Sequence, residues 1–103
     1  MSKKEPLIYE IIDLESAKEF LKSYREPVIL TNAPDSTRYY GMRVLDYMFK
    51  ELSKEFPMIS EVIVNVGDDH AALFTAIKLK YKNINYSGES EEAQMILKKY
   101  DIS

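Results

Sequence analysis

The fold class is decided by the segment 61-EVIVNVGDDHAALFTAIKLKYKN-83. It predicts an apolar strand over residues 62–66, a turn over 67–69 and a helix that begins at His70. A continuous apolar run followed by a turn and a helical apolar spacing is typical of one strand–helix unit of an α/β protein. The turn also contains the chain's single histidine, next to the aspartate pair 68–69.

Outward from this segment, the same strand-then-helix pattern occurs three more times. Strands are predicted at 7–12, 28–32 and 84–86, each followed by a helical pattern. Such alternation predicts an α/β fold, a single-domain three-layer sandwich with a four-stranded, mostly parallel (β-α)4 sheet. The expected strand order is 2-1-3-4, as in flavodoxin-like and Rossmann-like sheets. Glu10 conflicts with this order, because a central first strand would have to bury its carboxylate.

Composition limits the classes of function. The chain has 103 residues, which predicts one domain over 1–103 with a flexible N-terminus at 1–6. It has no cysteine, which excludes thiolate chemistry and disulfides. A net charge of −3 without a basic cluster argues against nucleic-acid binding. There is neither a signal peptide nor a long apolar span, so we expect a cytoplasmic protein without membrane or cofactor.

The first candidate site is the turn after the third strand. Asp68, Asp69 and His70 could act as general bases or as ligands of a divalent cation. The simpler interpretation is that Asp69 caps the helix and His70 lies in its first turn. Adjacent side chains point in different directions, so one cation could not easily use all three, and no metal is predicted.

The second candidate site follows the second strand. Asn32, Asp35, Ser36, Arg38 and Tyr39 lie where a helix begins, and an arginine beside hydroxyls there could hold a phosphate or carboxylate. The alternative is a capped helix with an exposed arginine and packed tyrosines.

The third candidate site is the turn before the last helix. Ser87 and Gly88 could present backbone amides to a phosphate. The segment lacks the further glycines of a dinucleotide fingerprint and the lysine of a P-loop, so a plain turn is the alternative.

The long helix predicted before Pro57 has an apolar face too wide for one contact. A helix apolar over so much of its circumference lies deep in a core or meets another subunit. We therefore predict a homodimer, since twofold dimers are the commonest oligomers. The predicted interface residues are Tyr40, Val44, Met48, Phe49 and Leu52.

Part of the chain resembles the later half of a response-regulator receiver domain. The shared features are the strand at 28–30, a loop with a proline, the long helix ending at Pro57 and the Asp68-Asp69 turn. The resemblance implies that Asn32 occupies the phosphoacceptor position and Ser87 the position of a lysine. It would therefore imply a receiver that cannot be phosphorylated, and we interpret it as shared architecture.

Two hypotheses about function follow. The first is a small module that acts by self-association or by binding a protein partner, because no complete catalytic constellation is present. The alternative is a protein that binds a phosphate- or nucleotide-type ligand, or a hydrolase or phosphoryl-transfer enzyme, at the carboxyl ends of the strands. Whether the protein is an enzyme is left open by the sequence.

Overall fold

The structure is a computed structural model that describes residues 5–100. The predicted flexibility of 1–6 falls mostly outside the described residues. In chain order the helices and strands are β1 (Leu7–Ile11), α1 (Leu14–Ser23), β2 (Val28–Asn32), α2 (Ser36–Tyr40), α3 (Met42–Glu55), β3 (Ile59–Gly67), α4 (His70–Lys78), β4 (Ile84–Tyr86) and α5 (Glu91–Lys99). No helix within 5–100 has the length and apolarity that crossing a bilayer requires.

The four strands form one parallel sheet, which confirms the α/β class. Their order is β1-β2-β3-β4, so the predicted order 2-1-3-4 is wrong. Each strand pairs with the next one in parallel. Glu10 lies on the edge strand β1, where it pairs with Thr31 of β2. The edge position removes the conflict noted above, because the Glu10 carboxylate is exposed to water.

The strand order also determines where the helices lie. Right-handed crossovers that all step in the same direction place every connecting helix on the same face of the sheet. Accordingly α3 contacts both α1 and α4, and these three helices contact the sheet. The Cα atoms extend only 19 Å along the shortest axis. This thickness fits two layers about 10 Å apart, so the predicted three-layer sandwich is wrong.

Alternation along the strands separates a buried face from an open one. Leu30 and Val64 are both 0% exposed and belong to the hydrophobic core. Their chain neighbours Ile29 and Ile63 are half-buried and lie outside that core. Because successive strand side chains point to opposite faces, the isoleucines lie on the face away from α1, α3 and α4.

The predicted long helix is interrupted at Gly41, whose φ of 81° breaks it into α2 and α3. On α3, Met48, Phe49 and Leu52 are buried in the protein's own core. They are therefore not available to a partner, which corrects that part of the interface prediction. The sheet beneath and the helices on each side supply the cover that the wide apolar face of α3 requires.

The carboxylate of Asp46 on α3 fixes the end of α4 through Tyr81. The Tyr81 hydroxyl donates to Asp46 Oδ1 at 2.6 Å, and its ring packs edge-on against Phe49. Burial raises the pKa of the Tyr81 phenol, and the hydrogen bond to Asp46 raises it further.

This raised pKa predicts an alkaline loss of stability. In the unfolded chain the phenol titrates near pH 10, whereas the folded protein resists its ionisation. The contribution of Tyr81 is therefore full below about pH 10 and declines as the pH rises further. In urea unfolding between about pH 8 and pH 10.5, Tyr81→Phe should lose less stability than the wild type. Equal losses in both proteins would contradict this assignment.

Candidate functional site

Asn32 joins the carboxyl ends of β2 and β3 and is 0% exposed. Its Nδ2 donates to Asn65 O at 2.7 Å, Ser36 Oγ at 2.8 Å and Ala33 O at 3.1 Å. Its Oδ1 accepts from Asn65 N at 2.8 Å. Both ends of the amide are thus occupied by the protein itself, so Asn32 is a structural clamp and Ser36 is part of it.

Arg38 and Asp68 form an ion pair across the two loops. Arg38 Nη2 donates to Asp68 Oδ1 at 2.7 Å, with both side chains exposed. The hydrogen bond and charge of Arg38 lower the pKa of the Asp68 carboxyl, while those of Asp68 raise the pKa of Arg38. The two groups predicted to hold an anion or activate a water therefore neutralise each other.

Asp69 points away from Asp68 and caps α4. Its Oδ1 accepts from Ala72 N at 3.1 Å, and its Oδ2 accepts from Thr37 Oγ1 at 3.0 Å. The second bond ties the start of α4 to α2, where Thr37 is buried. Sequence reasoning included Thr37 among the hydroxyls of the second candidate site, but it did not predict this bond, since a threonine near a helix start carries no sign of a partner 32 residues away.

The different roles of Asp69 and Asp68 predict that their substitutions have different effects on stability. Asp69→Ala should lower the free energy of unfolding by about 1 kcal/mol, the usual value of a helix cap. Asp68→Ala should change it little, because exposed ion pairs contribute little. Chemical unfolding of both variants measures the difference, and an equal loss would mean that Asp69 does not act as the cap.

His70 contacts Tyr86 rather than the aspartates. The Tyr86 hydroxyl lies 2.6 Å from His70 Nε2. Gly88 lies against the same hydroxyl, and a side chain at position 88 would clash with the Tyr86 oxygen. Gly88 thus makes room for Tyr86, and the Ser87 amide donates to Gly67 O at 2.7 Å as part of the chain path.

The structure therefore brings the predicted residues to one edge of the sheet but uses most of them internally. Arg38 pairs with Asp68, Asp69 caps a helix and His70 contacts Tyr86. Asp35 and Tyr39 are exposed, Tyr39 with 83% of its surface. Over residues 5–100, no cluster of three acidic or histidine side chains could hold a metal ion.

A second surface lies on the face of the sheet away from α1, α3 and α4. We call it the open face, formed by the side chains of Ile8, Glu10, Ile29, Thr31, Glu61 and Ile63. Ile8 is 59% exposed, although it is a large apolar residue. In register, Ile8 lies opposite Ile29 and Ile29 opposite Glu61, while Thr31 separates Glu10 from Ile63. The Glu61 carboxylate accepts a hydrogen bond from the Asn83 amide.

The open face is bounded on the β4 side by α5. Leu97 of α5 lines a cavity of about 460 Å³ together with Pro34, Asn65, Asn85 and Ser87. Sequence reasoning missed the open face, because a strand that is apolar on both sides predicts cover on both sides. The charge of Glu10 within the first predicted strand was the signal in the sequence that pointed to exposure.

These observations define a small α/β domain whose parallel strands follow one another across the sheet in chain order. Over 91 residues the chain is 59% identical to "Uncharacterized protein RP547" of Rickettsia prowazekii (strain Madrid E), covering 87% of this chain and 86% of that protein. The chain belongs to the same family as that protein. No family model matches the chain, and no solved structure matches it significantly.

Proposed function

We propose that the protein is a non-catalytic interaction module that binds a protein partner through the open face. The observation that carries this proposal is an all-parallel sheet with helices α1, α3 and α4 on one face only. Parallel sheets are almost always covered on both faces. A partner that covered the open face would complete that arrangement.

The residues of the open face support this proposal. Ile8, Ile29 and Ile63 form an apolar patch across three neighbouring strands, which are about 4.8 Å apart. Fully burying an exposed isoleucine contributes roughly 1.5–3 kcal/mol, so Ile8 can contribute most, and the half-buried Ile29 and Ile63 contribute less. The patch can thus supply the apolar centre of an interface, with Glu10 and Glu61 as its polar rim.

The internal pairing at the strand ends also favours a module over an enzyme. A general base or an anion site needs groups that are free to meet a substrate. Arg38 and Asp68 are instead paired with each other, and Asp69 accepts a hydrogen bond from Thr37. The proposal includes a cytoplasmic location, and partners that are neither nucleic acid nor membrane, in line with the charge of −3.

Self-association is a second way in which the module could act. Tyr40 and Val44 remain exposed at 44% and 46%, and Tyr47 beside them on α3 is 57% exposed. Tyrosine is enriched at protein interfaces, so this patch at the end of α2 and the start of α3 is the surface proposed for a homodimer.

Ligand binding is the alternative function, and one cavity favours it. The cavity of about 460 Å³ beside β4 has the size of a small-molecule site. Ser87 is the candidate site residue that lines this cavity, whereas Asp68, Asp69 and His70 do not line it. A thermal-shift screen of nucleotides, sugar phosphates and anions tests it, since a ligand at 100 times its Kd should stabilise the protein by about 2.7 kcal/mol.

Site-specific photo-crosslinking in the source cells tests the proposed function. A photoreactive residue is placed at Ile29 on the open face, at Val44 on α3, or at Lys22 on the outer side of α1. We expect a discrete protein adduct from Ile29 and none from Lys22. An adduct from Val44 of twice the chain's mass would support the homodimer instead. Adducts in equal yield at Ile29 and Lys22 would contradict the proposal.

A further inference from the structure

Resting on the proposed function, we infer that the open face binds a basic amphipathic helix of another protein. Two carboxylates, Glu10 and Glu61, lie on either side of β2, and the six residues of the open face include no lysine or arginine. The three isoleucines lie among them. A partner that fits this face therefore brings an apolar stripe flanked by positive charge.

A helix suits the spacing of the strands. Parallel sheets are normally covered by helices, which pack about 10 Å from the sheet. A helix lying along β2 would place its apolar stripe over Ile29 and reach Ile8 on one side and Ile63 on the other. Those two side chains belong to the strands that pair with β2.

The register specifies where the charges of the helix must be. Glu61 is level with Ile8 and Ile29, whereas Glu10 is two residues further along β1. Their Cα atoms are thus separated by about 10 Å across the strands and about 7 Å along them. On an α-helix, residues about five or six positions apart rise roughly 7.5–9 Å and lie roughly 120–140° apart around the axis. Basic residues at that spacing would meet both carboxylates from opposite flanks.

A second copy of this chain fits the open face less well. Two open faces packed together would bring four carboxylates into one interface, with no cation from either face. Like charges brought together in a desolvated interface are strongly unfavourable. The charge pattern of the open face therefore selects a basic partner over self-association.

Binding of two synthetic peptides tests this inference. The first is an amphipathic helical peptide with leucines on one face and lysines on opposite flanks about five positions apart. The second carries glutamates in place of those lysines. Fluorescence anisotropy is measured with the wild type, with Glu10→Gln/Glu61→Gln, and with Glu19→Gln/Glu92→Gln. The last variant removes the same charge from exposed positions on α1 and α5.

We expect the lysine peptide to bind the wild type and the α1/α5 variant alike. The Glu10→Gln/Glu61→Gln variant should bind it at least about tenfold more weakly, and the glutamate peptide should not bind. Equal affinity for all three proteins, or no binding to the wild type, would overturn the inference. If the wild type is instead a dimer that Ile63→Lys dissociates, the occupant is a second copy. In either case an adduct from Ile29 would leave the proposed function standing, and its absence would remove both.

Discussion

Asn32→Ala is expected to lower the free energy of unfolding by about 3 kcal/mol. The change removes the side-chain partner of the Asn65 backbone amide and carbonyl, which lie partly buried near the carboxyl end of β3. Each buried polar group left unsatisfied costs about 1–3 kcal/mol. Chemical unfolding measures the loss, and Asn85→Ala on the exposed part of β4 serves as the control.

Asn32→Asp tests whether residue 32 acts as a structural clamp or as the phosphoacceptor position that the receiver resemblance implies. A carboxylate cannot donate to the three oxygens that Asn32 Nδ2 now faces. We therefore expect this variant to be destabilised as well, and not to become a working acceptor site. A stable Asn32→Asp protein would mean that the donor side of the clamp is unimportant.

Leu30→Ala and Ile29→Ala are expected to differ greatly, although the two residues are adjacent on β2. Leu30 is 0% exposed in the core, and truncating a buried leucine costs about 2–5 kcal/mol. Ile29 faces the open side, so its truncation should cost less than about 1 kcal/mol, mostly from strand preference. Urea unfolding of both variants, at two protein concentrations, measures the difference.

A large loss in Ile29→Ala would mean that the open face is covered, and its dependence on concentration would show by what. If that loss were independent of concentration, the chain itself would have to cover the open face. If it shrank as the protein was diluted, a second copy would be the cover, because the stabilisation that an oligomer provides falls with concentration.

The strand–helix units were predictable, whereas their arrangement was not. The apolar runs and the caps at Asp13 and Asp69 locate strands and helices, and both aspartates do cap their helices. Strand order depends on the direction in which each crossover steps. Right-handed crossovers satisfy 2-1-3-4 and 1-2-3-4 equally well, so local pattern does not distinguish them. Glu10 did carry the information, since a charge in a strand favours an edge.

The candidate site shows the same division between residue type and geometry. Sequence reasoning placed Arg38 and Asp68 at one edge of the sheet, because carboxyl ends of parallel strands meet there. It could not show that they would pair with each other across 30 positions of chain. Sequence reasoning also interpreted the wide apolar face of α3 as an interface. It could not show that neighbouring elements bury this face, because such burial is a property of the assembled fold. Met48 is 6% exposed only because those elements are in place.

Thiol accessibility tests the central claim that one face of the sheet is open. The chain has no cysteine, so Ile63→Cys and Val64→Cys each introduce a single reactive thiol on neighbouring residues of β3. Labelling with a maleimide under native conditions should modify the half-buried Ile63→Cys more slowly than the exposed Ile8→Cys but much faster than Val64→Cys. Val64→Cys should react only as fast as the sheet opens locally. Equal protection of Ile63→Cys and Val64→Cys in the monomeric protein would show that both faces are covered and would contradict the account.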